Sequence, residues 1–263
     1  MTDTAEVFHY PGRDGAVLAC RSLGEGRPLV LLHGFTATGS QWLNQGPAAS
    51  LAARGHRVLL PDLRGHGRSA HPRTPAAYPP DVLADDIFAL LDALSLTDYD
   101  LGGYSLGARI VVRLLARGAR PGRAIVAAQG LSVITRAEAG EQSRHILNAL
   151  ANGETLEPDT PDAQAARWIT ALGNDPQALL HVLDTHVPTP AADLPHIPTP
   201  TLVTAGADDP RRTSAQDLAA ALPHAEFTVV PGNHITALGT PEFATALASF
   251  LAGRSPGPGG VRT

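Results

Sequence analysis

The sequence has no lysine: all twenty basic residues among its 263 are arginine. We read this as a compositional habit of the genome, since the formal charge is only −5. No block of like charge offers a nucleic-acid or membrane surface, so neither partner is expected. A single cysteine, Cys20, excludes an internal disulfide and a cysteine-ligated zinc site, and says little about compartment. The eleven histidines include no H-x-x-x-H or H-E-x-x-H pair, and no metal is expected. The stretch GEGRP (24–28) lacks the lysine and Ser/Thr of a phosphate-binding loop, and no cofactor is expected. No run approaches the ~18 apolar residues of a membrane span. The opening MTDTAEVFHYPGRDG carries acids and no apolar core, unlike a signal peptide. The expectation is a soluble, cytoplasmic protein acting on a small molecule, with monomer or homo-oligomer left open. Hydrophobic residues at 43% and charged residues at 17% fit one large globular domain with a real core.

Seven short apolar stretches read as strands: AVLACR (16–21), PLVLLHG (28–34), HRVLLPD (56–62), YDLGGYS (99–105), RAIVAAQG (123–130), TPTLVTAG (199–206) and AEFTVVPG (225–232). Helix-like stretches separate them, at 40–55, 79–95, 106–118, 213–223 and 241–253. Strands alternating with helices predict βαβ units and a mostly parallel sheet. The nearly continuous apolar character of the middle strands fits burial on both faces. From 131 to 197 no strand is evident. Three helix-like pieces and a proline-rich return, VPTPAADLPHIPTP, predict a helical cap inserted in a core formed by 1–130 and 198–252. The glycine- and proline-rich end, 253–263, reads as a disordered tail.

GGYSLGAR (102–109) places Ser105 between a strand and a helix, with Gly103 and Gly107 on either side. Such a G-x-S-x-G turn lifts a hydroxyl clear of the sheet at a helix N-terminus. It predicts a hydrolytic triad in the order Ser, Asp/Glu, His. Downstream, ADDP offers Asp208 and Asp209 after one strand, and GNH offers His234 after the next. The histidine would serve as general base, and one of the two aspartates would orient it. The backbone N–H groups of Leu106 and Phe35 would form the oxyanion hole. His33 reads as structural.

These features resemble the α/β-hydrolase superfamily in its small-cap form. The resemblance runs from about residue 7 to 251. It rests on HGF (33–35), PDLRGHGRS (61–69), GYSLG (103–107), GADD (206–209) and GNH (232–234). It implies a doubly wound, mostly parallel eight-stranded α/β sheet flanked by helices. It also places the triad acid on Asp209 and gives Asp62, Arg64 and His66 a loop-tying role. Serine at the elbow, where dehalogenases and epoxide hydrolases of the fold carry aspartate, implies acyl transfer.

Four residues are candidates for substrate contact. Trp42 stands early in a helix near the oxyanion loop, as core or pocket wall. Tyr104 precedes the nucleophile and either touches substrate or wedges under the elbow. Trp168 is the large aromatic of the cap. Arg109 follows Ser105 by one helical turn. There GYSLGAR resembles a menaquinone-pathway branch, which implies an anionic substrate as the minority reading; the leading reading is a solvated or ion-paired arginine. The leading function is hydrolysis of a carboxylic ester or related acyl compound. The alternatives are a lyase or carbon–carbon hydrolase on a carboxylate-bearing substrate, a cofactor-free perhydrolase, or a non-catalytic binder.

Overall fold

The computed structural model describes residues 5–136 and 140–253. Beyond Gly253 the expected tail lies outside them. The strands are β1 (Glu6–Pro11), β2 (Val17–Leu23), β3 (Arg27–Leu32), β4 (His56–Pro61), β5 (Asp100–Tyr104), β6 (Ala124–Ala127), β7 (Thr201–Gly206) and β8 (Ala225–Val230). The helices are α1 (Gln41–Asn44), α2 (Ala48–Ala52), α3 (Val82–Ala93), α4 (Leu106–Ala116), α5 (Leu131–Ile134), α6 (Glu141–Asn152), α7 (Pro161–Ala171), α8 (Pro176–Asp184), α9 (Arg212–Ala221) and α10 (Pro241–Leu251). One eight-stranded sheet has the order β1-β2-β4-β3-β5-β6-β7-β8. β2 runs antiparallel to both β1 and β4, and all other pairs are parallel.

Alternation along the strands divides the core. Val30, Leu32, Leu59, Leu101 and Val126 pack on one face with Ile87, Leu90, Val111 and Leu115 of α3 and α4. Leu29, Leu31, Leu60, Ile125 and Leu202 pack on the other with Trp42, Leu51, Phe243 and Phe250. Both faces are covered, which is why the middle strands tolerate no polar alternation. Among the described residues no strand falls between β6 and β7. That segment holds α5 to α8 and a 3₁₀ turn at Ala191–His196. No helix among the described residues is long and apolar enough to cross a membrane.

Two local expectations need correction. The helix expected over 40–55 is broken into α1 and α2 at Gly46–Pro47, because proline cannot donate to the preceding turn and its ring crowds it. β1 escaped the list of strands because EVFHYP buries one side chain fully, Tyr10, and shows no run of apolar residues.

Candidate active site

The parallel strands all end on one edge of the sheet, and the candidate residues lie just past those ends. β5 leads into Ser105, β7 into Asp209, β8 into His234, and β3 into the loop carrying Phe35. The strands are rigid, so loops a few residues long fix these side chains.

Ser105 adopts φ 52°, ψ −109°, a conformation a residue with a Cβ avoids at a cost of about 1–3 kcal/mol. Its neighbours hold it there. Its N–H donates to the Ala127 carbonyl (2.9 Å), and its own carbonyl accepts from Arg109 N–H (3.1 Å) and Gln129 Nε2 (3.3 Å). The flanking glycines are required by contact rather than by flexibility. A Cβ on Gly103 would run into the Gly107 backbone, and one on Gly107 into the Leu32 carbonyl.

His234 Nε2 lies 3.1 Å from Ser105 Oγ, and its Nδ1 lies 2.9 Å from Asp209 Oδ2. Asp209 is buried, while its neighbour Asp208 is exposed. The other Asp209 oxygen accepts the Arg211 backbone N–H at 2.9 Å. Burial pushes the Asp209 carboxyl up. Hydrogen bonds from His234 and the Arg211 amide outweigh it and hold the group below the usual carboxylate range. The two loops are also joined through backbone, with Asp208 N–H donating to Gly232 O (3.0 Å) and Ala207 N–H to Val230 O (2.8 Å).

The loop after β3 is tied down by side chains. Leu63 N–H donates to His33 Nε2 (3.0 Å), so Nδ1 carries the ring proton and donates to Gly34 O (2.8 Å). Burial pulls the His33 pKa down, in keeping with a neutral ring. Gln41 Oε1 accepts the Gly34 N–H (3.0 Å), and Gly107 N–H donates to His33 O (3.1 Å). The Phe35 and Leu106 backbone N–H groups donate to no acceptor among the described residues. The loop runs close to the serine: a Cβ on Gly34 would sit 3.7 Å from that of Ser105. Behind the loop, Asp62, Arg64 and His66 are fully buried and bonded into the backbone.

A cavity of about 700 Å³ opens over Ser105 and His234, bounded by Phe35, Gln41, Trp168 and Arg211 among others. Trp168 is 56% exposed at its mouth, with Leu172 and Ile235 beside it. Tyr104 reaches the cavity wall but is buried, and its hydroxyl donates to the His234 carbonyl at 2.9 Å. It acts from beneath the histidine loop.

The structure places two of the substrate-contact candidates away from the cavity. Trp42 is wholly buried and packs on Tyr104 and Phe243, with centroids 6.4 and 6.2 Å apart. It is core. Arg109 lines a separate space of about 20 Å³ with Arg113 and His186. Ser105 stands before the helix begins, so a one-turn spacing does not aim the two side chains together. Burial lowers the Arg109 pKa to about 10, and burial together with the Arg109 charge lowers His186 to about 4.

One residue escaped the sequence. Arg211 Nη1 lies 3.0 Å from His234 Nδ1 and lines the cavity. Its only signal was proximity to the acid, in ADDPRR.

The chain matches the model of the alpha/beta hydrolase family over residues 29–246 and belongs to that family. It is an enzyme of the hydrolase class. It is 28% identical over 251 residues to the non-heme chloroperoxidase CPO-A1 of Kitasatospora aureofaciens, covering 84% of this chain and 89% of that one. A hydrolase from Pseudomonas aeruginosa PA01 superposes with a TM-score of 0.74 at 28% identity, over 94% of this chain and 98% of its own. A thermophilic esterase from Thermogutta terrifontis superposes with a TM-score of 0.73 at 25% identity, over 95% and 99%.

Proposed function

We propose that the protein is a serine hydrolase of carboxylic esters or related small acyl compounds, working through a covalent acyl-enzyme. The observation that carries this reading is the continuous run from Ser105 Oγ through both ring nitrogens of His234 to Asp209 Oδ2. With Asp209 ionised, the ring proton sits on Nδ1 and Nε2 presents a lone pair to the serine. Ser105 Oγ attacks the substrate carbonyl carbon as its proton passes to Nε2. The carbonyl oxygen becomes an oxyanion and takes the Phe35 and Leu106 N–H groups. Losing one such donor costs roughly 3–4 kcal/mol of barrier. The C–O bond to the leaving group then breaks, and the alcohol departs with the proton from Nε2. Water enters, gives its proton to the same nitrogen, and releases the acid and free Ser105.

A fluorophosphonate probe is expected to label Ser105 and no other residue. Ser105→Ala should abolish labelling and lower p-nitrophenyl ester hydrolysis roughly a million-fold. A variant that turns the ester over at the parent rate sinks the reading.

The chloroperoxidase name of the Kitasatospora relative favours one second reading. Hydrogen peroxide would replace water in the deacylation, giving a peracid and free serine. Peracid formation from acetate and peroxide, lost in Ser105→Ala, tests it.

A further inference from the structure

The triad does not account for Arg211. Arg211 lines the cavity beside Ser105 and His234, and among the described residues no acidic residue does so. Like several other arginines, Arg211 forms no salt bridge among the described residues, so its charge has no carboxylate in direct contact. Its one side-chain hydrogen bond is to His234 Nδ1, at 3.0 Å.

That nitrogen has a single in-plane position, and Asp209 Oδ2 faces it at 2.9 Å. The two partners make opposite demands. If Nδ1 carries the proton, it donates to Asp209, and the guanidinium N–H then points at another donor. If Arg211 donates to Nδ1, the ring proton sits on Nε2, and the lone pair that must accept the serine proton is gone. An anion in the cavity resolves the conflict by drawing the guanidinium to itself and leaving Nδ1 to Asp209. Guanidinium suits a carboxylate well, since its N–H groups match both oxygens.

We propose that Arg211 is the recognition group for a carboxylate on the acyl substrate, and that engaging it frees His234 Nδ1 for Asp209. The ring proton reaches Nδ1 by exchange with water. This rests on the serine-hydrolase reading and narrows its substrate class. Arg211 and Ser105 meet opposite nitrogens of one imidazole. The carboxylate and the scissile carbonyl are therefore separated by a short spacer, as in the half-ester of a small dicarboxylic acid. The polar wall at Thr36, Gln41 and Gln142 suits such a substrate.

The test compares monoethyl glutarate with ethyl valerate, its neutral counterpart. The wild-type protein should favour the half-ester in kcat/KM by about ten- to a hundred-fold, the worth of one charge-assisted hydrogen bond. Arg211→Gln should bring that ratio toward one, whatever it does to the absolute rates, and Arg211→Lys should retain part of it. A purely structural arginine would lower both substrates together and leave the ratio alone. Calorimetric titration with glutarate reads the same site without turnover: binding to wild type, and its loss in Arg211→Gln, are expected. If neither ester turns over and the probe fails to label Ser105, the serine-hydrolase reading falls, while the glutarate titration still decides this one. A wild-type ratio near one, a ratio unchanged in Arg211→Gln, or no glutarate binding overturns it.

Discussion

At the residue scale, Asp209 is the part of the site most open to measurement apart from Ser105. Asp209→Asn keeps the shape but presents the wrong partner to Nδ1, and kcat should fall about 10⁴-fold. The same group leaves a thermodynamic trace. Its folded pKa lies below the usual value, so the folded state holds the charged form more tightly. That stability is fully present above the unfolded pKa and is lost as pH falls through the lowered folded value. The difference in urea stability between wild type and Asp209→Asn should therefore shrink when measured at strongly acidic pH. A difference independent of pH contradicts the assignment. Ser105, His234 and one of two aspartates could be read from the sequence because each follows a strand end in a fixed order. Arg211 could not, because nothing in ADDPRR separates a cavity arginine from a solvated one. Arg109 became a candidate through spacing. Helical spacing orients side chains only within the helix, and Ser105 belongs to the turn before it.

At the element scale, the segment over the cavity is anchored by a few identifiable bonds. Asn174 Nδ2 donates to the Thr36 carbonyl at 2.9 Å, joining it to the loop after β3. Asp175 caps α8 by accepting the N–H groups of Gln177 (3.0 Å) and Ala178 (3.3 Å), while its other oxygen accepts from Arg73 Nε at 2.7 Å. Burial pushes its carboxyl up, but Arg73 and the two amides together leave it lowered. Removing the cap by Asp175→Ala should cost ~0.5–2 kcal/mol in urea denaturation. Asp175→Asn keeps an acceptor oxygen and loses only the ion pair to an Arg73 that is 66% exposed. Its cost should be roughly a few tenths of a kcal/mol. Equal losses in the two variants would give the work to the ion pair instead. Strands of the sheet interior were legible because burial on both faces demands unbroken apolar runs. The edge strand β1 was not, and the 40–55 helix was overextended because its apolar period continues across Gly46–Pro47 while the backbone does not.

At the scale of the whole molecule, the antiparallel edge must be held to the parallel sheet that carries the site, and one buried cation does so. Arg64, fully buried on the loop after β4, donates to both oxygens of Asp86 in α3 (2.9 and 2.8 Å). It donates as well to both oxygens of Asp14 in the β1–β2 turn (2.8 and 2.7 Å) and to the Ala77 carbonyl (2.8 Å). PDLRGHGRS identified Arg64 as a loop-tying residue, but its partners lie 50 and 22 positions away and carry no mark in the sequence. Asp14, at the surface, is lowered to about 2 by its bond to Arg64. Asp86 stands the other way: burial raises it, and the arginine only partly offsets that. Arg64→Met should therefore cost about 3–5 kcal/mol at neutral pH, because it leaves the Asp86 charge buried without a counter-ion, held only by the Arg13 backbone N–H. The cost should diminish in acid. A carboxyl with a raised folded pKa binds its proton more tightly when folded, so stability falls as pH rises through that value and returns as pH drops. Replacing both partners, Arg64→Met with Asp86→Leu, should recover much of the loss, since no charge is then stranded. Urea denaturation of the single and double variants at neutral and acidic pH checks each step. A single variant that loses the same stability at every pH would mean that packing around Arg64, and not the charge it neutralises, joins the edge to the sheet.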